Sequence, residues 1–177
     1  SRPSDVGYIW DNDGVHSDRT EGQGTVLGAV LAFDGPHEAP VVLRVGVSMV
    51  DLAHARTNRM TDAPDASSFE DILETTKQAW FEKLGRVQVA GGSEDERIVF
   101  YTALYNAYRM PTRLDEADGM YPGIDGQIHS TNGEHAYYSD LSLWDSFRTT
   151  HPWYTLVEEE VQRDCLLSLL AMARDGG

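Results

Sequence analysis

One segment limits what this chain can fold into more than any other. In SEDERIVFYTALYNAYRMP, residues 93–111, Ser93 and Glu96 stand three apart, the spacing at which each side chain caps the other's backbone amide at a helix start. Pro111, which has no amide to donate, stops the helix. Between these signals Ile98, Val99, Phe100, Tyr101, Leu104, Tyr105 and Tyr108 go most of the way round it. A helix that is apolar on nearly every side expects neighbours on nearly every side. The remaining sequence offers about three more helices and a few strands, too few partners to bury it. We therefore read the chain as a piece of a larger fold, its missing surface supplied by further residues or by another chain.

The first third reads as strands. VVLRVGVSM, residues 41–49, alternates Val41, Leu43, Val45, Val47 and Met49 against Val42, Arg44, Gly46 and Ser48, the period of a half-buried strand. TVLGAVLAF, residues 25–33, is a second such run, and the turn formers Asp34, Gly35 and Pro36 between them predict antiparallel neighbours. From about residue 51 the period becomes helical. Phe69, Ile72, Leu73, Thr76, Trp80 and Leu84 recur at helix spacing, and Ser68 with Asp71 resembles a capping box. TDAPDASS before them reads as a linker, which sets a domain boundary near residues 61–67. A final helix is predicted from Val157 to Arg174, with Glu158, Glu159 and Glu160 where negative charge suits a helix start and Gly176 and Gly177 just past its end.

A length of 177 residues with 41% hydrophobic content fits one well-buried domain or two small ones. The formal charge of −15 comes without any Lys/Arg cluster, so nucleic acid and anionic membranes are repelled as partners, while a hard cation such as calcium is compatible. No run approaches the roughly 18 apolar residues of a membrane-spanning helix. SRPSDVGYIW has neither the basic nor the apolar region of a signal peptide, although such a segment could have been removed. The lone Cys165, among Leu166, Leu167, Leu169 and Leu170, reads as a small core residue.

Chemistry concentrates in LSLWDSFRTTHPWYTL, residues 141–156. On a helix carrying Trp144 to Arg148, the tryptophan lies one turn from the arginine and Asp145 lies three before it. A carboxylate and a guanidinium make charge-assisted hydrogen bonds with adjacent hydroxyls, and an aromatic face packs on the C–H face of a pyranose, so Trp144, Asp145 and Arg148 suit a sugar. The plainer account is an Asp145–Arg148 helix pair with Trp144 in the core. His151 lies near the Arg148 end, with helix capping as its plainer role. Asp115, Asp118, Asp125 and Asp140, with His129, Glu134 and His135, lie in or beside loops that match no EF-hand, nor does DNDG at 11–14. IDGQI at 124–128 reads as a hairpin turn instead. The six histidines, His16, His37, His54, His129, His135 and His151, show no metal-binding spacing, and no Ser or Cys nucleophile motif is present. Glycosidases use two carboxylates across the scissile bond, but among 29 acids no pair can be singled out.

Four segments, RVGVSMVDLAHARTN, WFEKLGRVQVAGGSEDERIVFYTALYNAYRMP, MYPGIDGQIH and YYSDLSLWDSFRTTHPWYTL, resemble in that order consecutive parts of the glycoside hydrolase family 92 α-mannosidases. LWDSFRTTHP and FYTALYNAYRMP are specific, and the resemblance runs from about residue 25 to the end. It implies a multi-domain β plus α fold: the end of an antiparallel β-sandwich in residues 1–60, a helical linker in 61–92, and the opening helices of an incomplete (α/α)6 barrel in 93–177. It also implies a calcium-dependent, inverting exo-α-mannosidase that acts on mannose-containing glycans such as N-glycans or mannan and is exported from the cytoplasm. By the resemblance Asp145 and Trp144 bind the mannose and Arg148 orients the carboxylate or the sugar. The catalytic acid and base and the calcium ligands belong to motifs further along the barrel that no stretch here matches, so no catalytic or metal residue is expected in this chain and the chain alone is expected to be inactive. A non-catalytic carbohydrate-binding piece and a structural helical domain are the competing accounts.

Overall fold

The computed structural model describes residues 6–33 and 40–177. Asp34, Gly35, Pro36 and His37 lie outside the described residues. The chain divides into two compact units, residues 1–43 and 44–177.

In the first unit β1 (Val6–Asp11) pairs antiparallel with both β2 (Gly14–His16) and β3 (Gly28–Ala32), giving the order β2-β1-β3. DNDG is the turn between β1 and β2. The Asp13 amide donates to Asp11 Oδ1 at 2.9 Å, and Gly14 takes a φ of +129°, which glycine adopts without penalty. Asp11 also accepts from His16 Nε2 at 2.9 Å, and this bond holds its carboxyl below the usual range. Trp10 stands opposite Gly28, where an added Cβ would come within 1.8 Å of the indole. Close ring-on-backbone packing therefore explains this glycine.

β3 lies inside the predicted run 25–33, but the predicted strand at 41–49 does not form, and β3 takes β1 as its partner instead. In residues 44–49 the polar face is the one turned inward. Arg44 Nη2 donates to the Ser67 carbonyl at 2.7 Å, Asn58 Nδ2 to the Val47 carbonyl at 2.9 Å, and the Ser48 hydroxyl to Glu116. Val45, Val47 and Met49 remain 67%, 67% and 63% exposed. Alternation is present over residues 44–49, and the Val47 carbonyl is taken up by the Asn58 side chain rather than by a neighbouring strand.

The second unit begins with α1 (Leu52–Asp62), a helix the sequence reading missed because LAHARTNRMTD has too few apolar residues to show a period. Its signal is Asp51, whose carboxylate accepts from the His54 amide at 2.9 Å and caps the helix. The His54 ring lies between two carboxylates, Nδ1 2.8 Å from Asp51 and Nε2 3.2 Å from Asp118. Only the imidazolium can donate from both nitrogens. The bonds to Asp51, then Asp118, raise its pKa. The stabilisation is thus fully present below the ordinary histidine range of about 6.5 and is lost as pH rises through the raised value. Hydrogen exchange should show protection at the start of α1 declining across that window, and a His54→Gln variant should abolish the step. Protection independent of pH would contradict the clasp.

α2 (Phe69–Leu84) and α3 (Glu94–Ala107) carry the predicted capping boxes, Ser68 with Asp71 and Ser93 with Glu96. Leu104 of α3 is buried, but Ile98 and Val99 are 56% and 68% exposed, so the described residues do not cover this all-round apolar helix. The strands β4 (Thr112–Arg113), β5 (Met120–Pro122), β6 (Ile128–Ser130) and β7 (Tyr138–Ser139) form two antiparallel ribbons, β4–β7 and β5–β6. IDGQI turns the second, as predicted, with Gly126 at φ +76°. The chain ends in α4 (Leu143–Ser146), α5 (Thr150–Val157) and α6 (Glu159–Gly176). The final helix predicted over Val157–Arg174 is α6, which starts two residues later because the Glu158 backbone leaves the helical region at φ −139°; α5, which ends at Val157, was not predicted.

The core joins the ribbons to α6. Tyr121 and Tyr137 stack with centroids 3.8 Å apart against Ala171, flanked by Leu114 and Met172. Ser168, fully buried, accepts the Tyr138 amide at 2.9 Å and donates to the Asp164 carbonyl at 2.6 Å. Cys165 is buried as predicted, and burial pushes its thiol up to about 11. Among the described residues no helix is long and apolar enough to cross a membrane.

Candidate functional site

LWDSFRTTHP begins where β7 hands the chain to α4. Asp140 and Ser142 there have φ values of +52° and +43°, in the left-handed region that non-glycine residues seldom enter. Between them Leu141 is buried at 7% exposure and anchors the turn. The Ser146 hydroxyl lies 2.6 Å from the Leu141 carbonyl and 3.1 Å from that of Ser142. The amides of Asp145 and Ser146 both donate to the Ser142 carbonyl, at 2.8 and 3.0 Å. These bonds set Asp145 on a cavity of about 340 Å³ whose lining includes Asn106 from the end of α3, Met110 and Pro111 just past it, and Asp140 and Ser142. That volume falls within the range of small-ligand sites, roughly 300 to 1,000 Å³. The lining combines carboxylates and an amide, suited to hydroxyls, with apolar surface.

The three predicted sugar residues do not share one helix face. α4 stops at Ser146 after four residues, so Arg148 lies beyond it and no Asp145–Arg148 ion pair forms. The guanidinium instead sits 5.1 Å from the centroid of the Phe147 ring. Trp144 is 91% exposed within this chain. His151 caps no helix. It lies inside α5, and its Nδ1 meets Gln162 Oε1 at 2.8 Å, tying α5 to α6, while its Nε2 is buried with no hydrogen-bond partner among the described residues.

The loop acids mostly serve turns. Asp115 takes a two-pronged bond from Arg113, at 2.8 and 2.7 Å, and the Tyr137 amide at 2.9 Å. Asp118 and Asp125 accept the amides two residues ahead, Met120 and Gln127. Asp125 also meets His129, and the His135 ring bonds the Ala136 carbonyl. Asp140 differs from the others in reaching the Asp145 cavity. Among the described residues no group of three or more His, Cys, Asp or Glu side chains is placed to hold a metal ion.

The family model for the glycosyl hydrolase family 92 catalytic domain matches residues 54–177. The chain belongs to glycosyl hydrolase family 92. Solved structures agree with this assignment. One GH92-family glycosyl hydrolase is 26% identical, with a TM-score of 0.79 over 97% of this chain and 23% of its own. A family GH92 inverting mannosidase from Bacteroides thetaiotaomicron VPI-5482 is also 26% identical, with a TM-score of 0.78 over 95% of this chain and 23% of that chain. A family GH92 α-mannosidase from Bacteroides thetaiotaomicron, also solved in complex with mannoimidazole, shares the fold at 24% identity and a TM-score of 0.77, over 97% of this chain and 23% of that chain in the complex. No curated protein matches the chain. The family 92 chain thus spans about a quarter of the length of these structures.

The family 92 chain also contains buried carboxylates that the sequence reading did not single out. Glu158, 4% exposed, accepts from Lys83 Nζ at 2.9 Å and the Tyr108 hydroxyl at 2.9 Å and forms an ion pair with Arg86 Nη1 at 2.8 Å, joining α2 and α3 to the α5–α6 junction. Burial, then Glu158, raises the Tyr108 hydroxyl. In the sequence Glu158 is one of three consecutive glutamates, and nothing separates it from Glu159 and Glu160, which occupy the first turn of α6 as predicted. Glu116, 6% exposed, takes Asn58 Nδ2 at 2.7 Å and the Ser48 hydroxyl. Both carboxylates are held by protein donors from segments distant in sequence and tie those segments together. A larger cavity of about 570 Å³, between α1 and α2 and lined by Trp80, Lys83 and Tyr108, holds none of the residues of LWDSFRTTHP.

Proposed function

We propose that this family 92 chain supplies one wall of the mannose site of a calcium-dependent, inverting exo-α-mannosidase that hydrolyses terminal α-mannosyl residues, for example α-1,2-mannose of N-glycans or mannan. The observation that carries the reading is the position of Asp145, the third residue of LWDSFRTTHP, on a cavity of small-ligand size beside Asn106 and Asp140. In this reading the Asp145 carboxylate accepts hydrogen bonds from adjacent sugar hydroxyls. The exposed face of Trp144 packs on the C–H face of the ring, and Arg148 orients the sugar. Residues 1–60 are the end of a β-sandwich, 61–92 a helical linker and 93–177 the first helices of an (α/α)6 barrel. The general acid, the general base and the calcium ligands lie in the rest of the same polypeptide, which also covers Ile98 and Val99. The partners are then a mannose-containing glycan and that remaining polypeptide, with nucleic acid and anionic membrane disfavoured by the charge of −15. The place of action is outside the cytoplasm.

The test is hydrolysis of α-mannosides by the complete polypeptide with calcium and with EDTA, followed by NMR of the first anomer released. The reading expects β-mannose first, release only with calcium, and no release by residues 1–177 alone. Release by the isolated chain, or release of α-mannose first, would contradict it. Saturable mannose binding by the complete polypeptide without turnover would replace it with a carbohydrate-binding role.

A further inference from the structure

We propose that Ser146 is a positioning residue for Asp145, acting through the left-handed turn at Asp140–Ser142; the inference rests on the reading that Asp145 holds the sugar. Two non-glycine residues with positive φ within three positions cost conformational free energy and persist only where the surroundings dictate them. Here two groups do so. The buried Leu141 side chain fixes the middle of the turn, and the Ser146 hydroxyl reaches back to the carbonyls of Leu141 and Ser142 at 2.6 and 3.1 Å. A hydroxyl carries one proton, so it donates to one carbonyl at a time, and the shorter contact marks Leu141 as the main acceptor. The same Ser142 carbonyl receives the Asp145 amide at 2.8 Å, which links the turn directly to the residue on the cavity. α4 is only four residues long and has no side-chain cap, so it has little regularity of its own to orient Asp145. The turn supplies that orientation, and Ser146 holds the turn.

The experiment compares Ser146→Ala, Ser146→Thr, Ser142→Gly and Asp145→Ala in the complete polypeptide, measuring kcat and KM for an α-mannoside and Tm for each. Ser146→Ala should lower kcat/KM by about tenfold to a hundredfold, the scale of a misplaced contact group, and Ser146→Thr, which keeps the hydroxyl, should restore most of it. Ser142→Gly distinguishes positioning from plain stability. Glycine accepts the left-handed conformation freely, so the fold is not strained, but the turn is no longer confined to it. A loss of kcat/KM at unchanged Tm is the expected result. Full activity of Ser142→Gly and Ser146→Ala beside a collapsed Asp145→Ala would overturn the positioning role alone, whereas an active Asp145→Ala would overturn the sugar-site reading beneath it. If Ser146→Ala does not fold, Ser142→Gly decides.

Discussion

Asp145→Ala in the complete polypeptide is expected to lower kcat/KM for α-mannosides by about a hundredfold or more. A carboxylate accepting from two sugar hydroxyls makes two charge-assisted bonds, each contributing roughly 1.5 to 3 kcal/mol. Removing both costs about 3 kcal/mol or more of transition-state stabilisation, and each 1.36 kcal/mol is about tenfold in rate. The left-handed turn and the Ser146 hydroxyl hold Asp145 in place before substrate arrives, so little is lost to ordering it. Among the described residues Asp145 makes no side-chain ion pair, so alanine there should leave thermal stability close to that of the parent. A variant that lost stability while keeping kcat/KM would make Asp145 a structural residue and return the motif to the scaffold.

The second large effect concerns Glu158. Its carboxylate is 4% exposed, while Lys83 and Arg86, which approach it, are 41% and 49% exposed. The two sides of the cluster are therefore unequal. Glu158→Gln removes the one buried charge and weakens three bonds at once, including that from the Tyr108 hydroxyl, for a cost of about 2 kcal/mol. Lys83→Ala or Arg86→Ala leaves Glu158 with a remaining cation and takes away a group already half in water, so each should cost under about 1 kcal/mol. Hydrogen exchange in α2 and α6 of the complete polypeptide reads the difference directly. Equal losses from all three variants would mean that the cluster behaves as an ordinary surface network.

Legibility followed the physics of each element. The capping boxes at Ser68 and Ser93 and the Asp-Gly turn of IDGQI could be read directly because they are local, each settled by side chains within a few residues. The burial of Cys165 followed from its leucine neighbours. α1 was missed because its stability comes from Asp51 and from contacts to Asp118 and Glu116 that are distant in sequence. The strand expected over residues 41–49 does not form; alternation holds only over 44–49, and a sequence period does not say which face turns inward, which there is the polar one, held by Ser67 and Glu116. The specific motif LWDSFRTTHP pointed to the family, and Asp145 lies on a cavity, yet the expected helix face did not form because α4 ends before Arg148. Asn106 and Asp140 join that cavity from elements more than thirty residues apart, a juxtaposition that no local pattern in this one sequence records.

The central claim is that Asp145 holds the sugar, and the most direct measurement is calorimetric titration of mannoimidazole, the ligand of a related GH92 structure, into the complete polypeptide and into its Asp145→Ala variant. The account predicts saturable binding by the parent and a loss of about a hundredfold in affinity in the variant, matching about 2.7 kcal/mol. Equal affinity in the two proteins, with the variant folded, would contradict it.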